Sequence, residues 1–365
     1  FKRMKILYII NQFPKLSETF ILNEILQLRK FNHNVIIAAL SDPGEPKVHE
    51  DYQVIFQDTH FLKNGLKLLT KFDDKSYAQC VQEIVKIINN EKIDHIHCHF
   101  AKKNVELAYI INKMLKIPYT FTTHAYDIFY DIDKDIEKWA NSAKKVITIS
   151  NYNKDYMIKN FKINPNNIEV IHCGIELDKF RQIEVKKEDQ FTILNVGRLN
   201  PIKGQKYLIE ACRILKDKRI DFQCWIIGGG KERENLEKQI AHLDLGNNIN
   251  LLGPKKNEEL IEYYNKADVF VLPSISESMG VVNMEALACG TPVIASDVRG
   301  VPELIKDNYN GILIEPENPE EIAKGIMKLK NDPNLLDKFK NNSRGIVNEE
   351  FNIKKNVMKI LEVFS

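Results

Sequence analysis

Two glutamates eight positions apart, Glu277 and Glu285, stand in PSISESMGVVNMEALACGTPV, residues 273–293, an otherwise apolar stretch with Gly280 between them. The preceding run ADVFVLPS has the composition of a strand and ends at Pro273, which releases the chain into the loop SISES. A helix is expected to begin near Gly280 and to stop at Gly290 and Pro292, residue types that terminate helices. Glu277 then lies on a loop above a sheet and Glu285 lies inside the helix. The first amides of a helix have no intrahelical partners and carry the positive end of its dipole, and a glycine there lets an anion come close. A carboxylate beside a phosphate would repel it, so the two acids are better used on hydroxyl groups, which donate to them. An anion flanked by hydroxyls on both sides has the form of a nucleoside diphosphate sugar, with the sugar at one end and the ribose diol at the other.

Two further segments supply what a diphosphate needs. FTILNVGRLNPIKG, residues 191–204, reads as a strand followed by Gly197 and by Arg198 and Lys203 in the loop at its carboxyl end. The arginine offers a fork of donors and the lysine a point charge. IPYTFTTHAYD, residues 117–127, ends another strand at His124. Taken singly, each feature has a plainer reading: an acid pair on a helix surface, a solvated basic loop, a histidine satisfied at a strand end. His95, His97 and His99 alternate along one strand face, as metal ligands could, but a buried parallel strand leaves little room for an open coordination shell, and no metal is expected. DID at 131–133 has the D-x-D form yet lies in a helix-like acidic segment and reads as surface. GGG at 228–230 lacks the G-x-G-x-x-G spacing behind a first strand, which weakens a dehydrogenase reading. The lysines at 102, 103, 113 and 116 read as a solvated face, with a patch for anionic lipid head groups as the alternative.

The elements that must hold these residues follow from periodicity. Short β-rich runs (MKILYII, NVIIAAL, IDHIHCHF, IPYTFTTH, KKVITIS, NNIEVIHCG) alternate with helix-like segments such as ETFILNEILQLRKF and YAQCVQEIVKIINN. Around 181–190 the text turns charged, RQIEVKKEDQ, and the alternation restarts with FTILNVG, DFQCWIIGG, NINLLG, ADVFVLPS, TPVIAS and GILIEP. Runs this apolar suit strands covered on both faces, and strand–helix alternation implies parallel sheets. At 365 residues the chain accommodates two such domains, an α/β protein of two doubly wound sheets joined near residue 185, with ligands expected beyond the carboxyl ends of the strands in a cleft between them. Lysine plus arginine, 52, nearly balances aspartate plus glutamate, 50, so no global field favours nucleic acid. Six cysteines without C-x-x-C pairs, most of them in apolar runs, read as reduced and cytoplasmic. FKRMKILYII is too short before Asn11 for a signal-peptide core or a membrane span and reads as a first strand.

At these residues the sequence resembles a known family. Glu277 and Glu285 form the E-x7-E motif of the retaining glycosyltransferases of family 4, the group 1 glycosyltransferases, and PSISESMGVVNMEALACGTPVIAS looks like that family's signature. NVGRLNPIKGQKYLIEA, VIHCGIELDKF, LLGPKKNEELIEYYNKADVFVLPS and GVPELIKDNYNGILIEPEN match its other blocks in their usual order. The likeness covers nearly the whole chain and is most specific from 192 to 316. Near the start, FPKLSETFILNEI resembles the subgroup that builds bacterial exopolysaccharides, including colanic-acid-type transferases.

The resemblance implies the GT-B arrangement: a Rossmann-like acceptor-side domain over 1–185, a Rossmann-like nucleotide-sugar domain over 186–345, and a last helix within 346–365 returning to the first domain. Carried over by position, Arg198 and Lys203 grip the diphosphate and Glu285 binds the ribose hydroxyls. Glu277 holds hydroxyls of the donor sugar, helped by the backbone N–H groups of Met279, Gly280 and Val281, and His124 contacts that sugar from the first domain. Gly197 belongs to the same nucleotide loop, and the loops carrying Gly229 and Lys231, and Gly253 and Pro254, border the base. The resemblance further implies a UDP- or GDP-sugar donor and no cofactor, retention by front-face attack, independence of metal, and a glycan or lipid-linked acceptor. With the lysine face it implies peripheral association of the first domain with the inner side of the cell membrane. One departure is NQFPKLSETF after the first strand, where many members have a Gly-Gly loop. Ser17 and Thr19 could supply side-chain donors there, and Glu18 could face an acceptor. A nucleotide-sugar epimerase of the same architecture, or a binding module without turnover, stands as the alternative.

Overall fold

The computed structural model describes residues 2–13, 15, 18–44, 55, 59–70 and 74–365. Contacts divide the chain into two compact units, residues 1–174 together with 353–365, and residues 175–352.

The first unit is built on seven strands in the order β3-β2-β1-β4-β5-β6-β7: β1 (Lys5–Gln12), β2 (Asn34–Ser41), β3 (Thr59–Phe61), β4 (His95–His99), β5 (Tyr119–Thr123), β6 (Lys145–Thr148) and β7 (Ile168–Val170). Every pairing is parallel. Parallel neighbours need crossovers, which the intervening helices provide while covering both faces and so excluding water from the ladder. Because side chains alternate along a strand, β4 sends Ile96 and Cys98 into one core with Leu107, Ala108 and Ile111 of the helix Lys103–Leu115. His95, His97 and His99 emerge on the opposite face. There Tyr8 and Ile10 of β1 pack with the helices Thr19–Lys30 and Ile353–Phe364.

The second unit holds six parallel strands in the order β10-β9-β8-β11-β12-β13. These are β8 (Phe191–Val196), β9 (Phe222–Ile227), β10 (Ile249–Gly253), β11 (Val269–Leu272), β12 (Val293–Ser296) and β13 (Gly311–Ile314). Their apolar residues, among them Ile193, Ile226, Val271 and Ile294, form one core with the helices Gln205–Asp217 and Pro319–Asn331. The order reverses between β8 and β11, the strands that precede the Arg198 and Glu277 loops. Loops leaving the carboxyl ends of two such strands diverge, and a crevice opens between them.

Both units are Rossmann-like α/β sheets, as the alternation of periods leads one to expect. Two details differ from the reading by pattern. The charged stretch 181–190 is not a free linker: Ile183 N–H donates to Asn265 Oδ1 at 2.9 Å and Lys187 Nζ to the Ala267 carbonyl at 2.7 Å, which ties it to the second unit. The division falls instead at Gly174 and Ile175, and the return to the first unit begins at Ile353. Strand β3 has no apolar run to announce it; its three residues pair with Ile37–Ala39 at the sheet edge.

Candidate active site

The site residues of the second unit gather on loops at the carboxyl edge of its sheet. After β8 the chain turns through Gly197, whose N–H donates to Ile227 O at 3.0 Å, and Arg198, which is exposed. Among the described residues the Arg198 guanidinium has no hydrogen-bond or ion-pair partner, while its carbonyl accepts from Gln205 Nε2 at 3.2 Å. Asn200 then caps a single 3-10 turn, Pro201–Lys203, by accepting from Lys203 N–H at 3.2 Å. The turn ends at Gly204, with φ +68°, where a Cβ would stand 1.9 Å from the Pro273 carbonyl oxygen. Only glycine permits this approach, and it presses the lysine loop against the loop that follows β11. Ile275 N–H completes the seam by donating to Ile202 O at 2.8 Å. Lys203 Nζ consequently meets Glu277 Oε2 in an ion pair, both side chains being mostly buried.

Gly204→Ala is expected to destabilise the second unit by about 2 kcal/mol or more, since a left-handed backbone and a collision with main chain both oppose the methyl. It should also weaken nucleotide binding. Thermal unfolding with and without uridine diphosphate measures both, and an unchanged unfolding midpoint would contradict the close approach.

Beyond Glu277 the chain reaches Met279, which is buried, and Gly280 at φ +81°, where a Cβ would meet Asn283 Nδ2 at 2.8 Å. The helix Val281–Ala288 starts there, with Asn283 N–H donating to Gly280 O at 2.9 Å and Asn283 Nδ2 donating to Met279 O at 3.1 Å. The N-terminus of this helix and the Lys203 ammonium are thus the positive features beside Glu277. Three buried polar atoms of the segment, Ser274 Oγ, Ser278 Oγ and Asn283 Oδ1, have no partner among the described residues.

Glu285, the fifth residue of that helix, is buried and accepts from Tyr264 Oη at 2.8 Å. Burial pushes its carboxyl up to about 7, against the opposing effects of the Tyr264 hydrogen bond and the Lys179 charge. Tyr264 belongs to the helix Asn257–Lys266 and is itself raised by burial and by Glu285. The remaining loops are laced to the first: Leu199 N–H donates to Gly229 O at 2.8 Å, and Gly228 N–H to Gly253 O at 3.0 Å. A Cβ on Gly229 would lie 3.8 Å from Pro254. Lys231 is exposed in the turn after Gly230.

His124 stands in the first unit, at the end of β5, in a separate cluster. Its ring lies 4.5 Å, centroid to centroid, from both Phe20 and Phe100, and its Nε2 is 3.1 Å from His99 Nδ1. His99 Nε2 in turn is 3.1 Å from Glu24 Oε1, which accepts from Tyr8 Oη at 2.6 Å. Burial first, and then the neighbouring His99, hold His124 well below the usual imidazole range. His97 shares the cluster, and Glu24, His97 and His99 present ligand atoms all within 4.8 Å of one another. The three-histidine face thus comes nearer to a metal arrangement than the sheet packing suggests. Both ring nitrogens of His97 also have hydroxyl neighbours, Nδ1 at 2.8 Å from Thr120 Oγ1 and Nε2 at 3.2 Å from Thr122 Oγ1, whereas the buried His95 Nδ1 has no partner among the described residues. His95 stacks on Phe364 at 4.4 Å, and burial and Lys144 lower it to about 3.

The DID segment lies in the turn before the helix Ile136–Ser142, not within a helix, and Asp131 is exposed and paired with Lys102 at 2.7 Å. Lys103 pairs with Glu106 at 2.9 Å. Glu18 pairs with Lys15 at 2.9 Å just before the helix that Thr19 begins; Ser17 lies outside the described residues. Sequence reasoning passed over Tyr264, Glu24 and Tyr8. Each sits in an amphipathic or apolar run where an aromatic or single acid looks like ordinary helix or strand filling.

Comparison with known proteins decides the family. Residues 176–345 match the family described as Glycosyl transferases group 1, and residues 17–179 match Glycosyltransferase Family 4. An uncharacterized glycosyltransferase of Methanocaldococcus jannaschii is 33% identical over 81% of this chain and 82% of its own length. The chain belongs to the group 1 glycosyltransferases. The glycosyltransferase is also 29% identical to the amylovoran biosynthesis glycosyltransferase AmsK of Erwinia amylovora, over 89% of this chain and 90% of that one. In fold, it superposes on the Anabaena protein HepE in complex with UDP-glucose with a TM-score of 0.78 at 20% identity, covering 99% of this chain and 100% of that chain. Among the described residues no helix is long and apolar enough to cross a membrane.

Proposed function

We propose that this glycosyltransferase takes a sugar from a nucleoside diphosphate sugar, UDP- or GDP-linked, and passes it with retention to a glycan or lipid-linked acceptor in surface polysaccharide synthesis. The observation that carries the reading is the Lys203–Glu277 pair, set beside a helix N-terminus at the point where the strand order reverses. An ammonium has three donors, so Lys203 can keep Glu277 oriented toward sugar hydroxyls while offering the others to a phosphate. Arg198, exposed and with no guanidinium partner among the described residues, supplies the second cation. Breaking the anomeric C–O bond leaves negative charge on the diphosphate, and these fixed cations, with the amides of Met279, Gly280 and Val281, stabilise it as it forms. Two cations and a helix terminus can do this without a metal ion. Glu277 then positions the sugar, Glu285 receives the ribose hydroxyls, Gly197, Gly229, Lys231, Gly253 and Pro254 border the nucleotide, and His124 contacts the transferred sugar. The UDP-glucose complex of HepE, a protein of the same fold, and the likeness to an amylovoran transferase support the donor class and the polysaccharide setting.

A face of the first unit suits a lipid-linked acceptor. Tyr126, Tyr130 and Ile132 are exposed in the segment beside Lys102, whose ammonium lies 5.9 Å from the Tyr126 ring centroid and pairs with Asp131 at 2.7 Å. Exposed aromatics among lysines match the boundary between head groups and acyl chains. Binding to vesicles containing anionic phospholipid is expected, with loss in high salt; equal binding to neutral vesicles would remove the electrostatic part of this assignment.

The test of the whole reading is incubation with UDP- and GDP-sugars, with and without lipid-linked acceptor, in the presence of a chelator. Transfer with the donor's anomeric configuration preserved is the expected result. An altered sugar on the nucleotide without acceptor would mark an epimerase, and tight nucleotide binding without turnover would mark a binding module. Activity abolished by chelator and restored by a divalent ion would overturn the metal-free mechanism.

A further inference from the structure

The chain of contacts behind His124 has a direction. Glu24 Oε1 accepts from Tyr8 Oη at 2.6 Å, and a carboxylate oxygen can only accept from its second neighbour too, so His99 Nε2, 3.1 Å away, carries its proton toward Glu24. In the neutral form of the His99 ring, which has one donor and one acceptor nitrogen, Nδ1 is then the acceptor. The atom facing it at 3.1 Å is His124 Nε2, which in that form is the donor. His124 Nδ1 is left with a bare lone pair and has no partner among the described residues.

The rest of the surroundings hold this arrangement in place. Asp127, at the start of the next helix, accepts from His124 N–H at 3.0 Å through Oδ1 and from Ala101 N–H at 2.9 Å through Oδ2, which fixes the backbone behind the ring. Phe20 and Phe100 flank the ring itself. A cavity of about 20 Å³, enough for a single water, is lined by Glu24, His99, His124 and Asn356 among others.

We propose that Glu24 and His99 are positioning residues that lock His124 in its Nε2–H form, so that it meets substrate as a hydrogen-bond acceptor through Nδ1 and selects a hydroxyl that donates. The proposal rests on the reading of His124 as a sugar contact. It assigns no proton transfer to the reaction; what the relay fixes is which ring atom can accept.

Long-range proton–nitrogen spectra of the histidine side chains in the full chain, assigned with His99→Asn and His124→Asn, test the tautomers directly. The expected result is Nε2–H for both rings near neutral pH. An Nδ1–H His124 overturns the proposal, as does a stoichiometric divalent ion found on Glu24, His97 and His99. In transfer assays Glu24→Gln, whose amide offers a donor as well as an acceptor, should lower kcat by about tenfold and leave uridine diphosphate affinity unchanged. The same substitution in a His124→Ala background should cause no further loss, whereas a merely structural role would add to it. Full activity of Glu24→Gln beside an impaired His124→Ala overturns the relay alone. Full activity of His124→Ala overturns the sugar contact, and the proposal with it, and the unchanged spectra would tell that failure apart.

Discussion

Arg198→Ala and Lys203→Ala are each expected to lower transfer turnover by roughly 10²–10³-fold, the usual worth of a fixed donor aimed at charge that develops in the transition state. The two variants should differ in what else they change. Arg198 is exposed and its guanidinium has no partner among the described residues, so its removal is expected to leave the free protein's fold unchanged and to act on kcat far more than on nucleotide affinity. Lys203 is paired with Glu277 and both side chains are mostly buried. Removing the ammonium strands a carboxylate where a diphosphate is to bind, and repulsion should then weaken affinity as well as turnover. Lys203→Ala combined with Glu277→Ala should accordingly recover nucleotide affinity relative to Lys203→Ala alone, although turnover stays low because both functions are gone. Steady-state rates with saturating acceptor, together with calorimetric titration of uridine diphosphate, separate these effects. Unchanged turnover in both variants would remove the diphosphate assignment, and additive affinity losses in the double variant would show that the ion pair is only a surface contact.

The parts of this molecule that were legible in the sequence are those whose physics is local. Twelve strands announced themselves as apolar runs because parallel strands are buried on both faces, and Gly280 and Gly290 punctuated a helix because few other residues tolerate their backbone angles. What stayed hidden depends on partners far apart in the chain. Tyr264 reaches Glu285 across 21 positions, Lys203 reaches Glu277 across 74, and His99 reaches Glu24 across 75. No spacing rule connects such residues; only the order of strands does, by bringing the loops after β8 and β11 to one edge. The alternation of His95, His97 and His99 was visible, but not that a glutamate from the helix Thr19–Lys30 would join one of them, His99, to His124 in a hydrogen-bonded chain. The unit boundary was misplaced for a related reason. A charged run such as RQIEVKKEDQ looks like a linker until Asn265 and the Ala267 carbonyl are seen to hold it.

Nucleotide affinity is expected to fall about tenfold between pH 8 and pH 6, because Glu285 is pushed up to about 7 and only its ionised form accepts from both ribose hydroxyls. The sign follows from the cause. Burial disfavours the charged carboxylate, so protonation occurs at a pH where an exposed glutamate would still be ionised. Once protonated, the group has one oxygen committed as a donor while Tyr264 Oη continues to donate to the other, so it no longer accepts from both hydroxyls of a diol. Stability should move in the opposite sense. The unfolded chain releases this proton near the ordinary glutamate value and the folded chain releases it near 7, so folding is progressively penalised as pH rises between the two. Each pH unit of that window is worth up to about 1.4 kcal/mol. Glu285→Gln should therefore bind nucleotide weakly and without pH dependence across 6–8, yet unfold at a higher temperature than the parent chain at pH 8. Tyr264→Phe removes the hydrogen bond that favours the ionised form and should shift the midpoint of the affinity profile further upward. A nucleoside diphosphate sugar is the ligand to titrate, since its bridging phosphates do not ionise in this range whereas a terminal phosphate does. A flat profile in the parent chain, or a profile unaltered by Glu285→Gln, would place the ribose elsewhere.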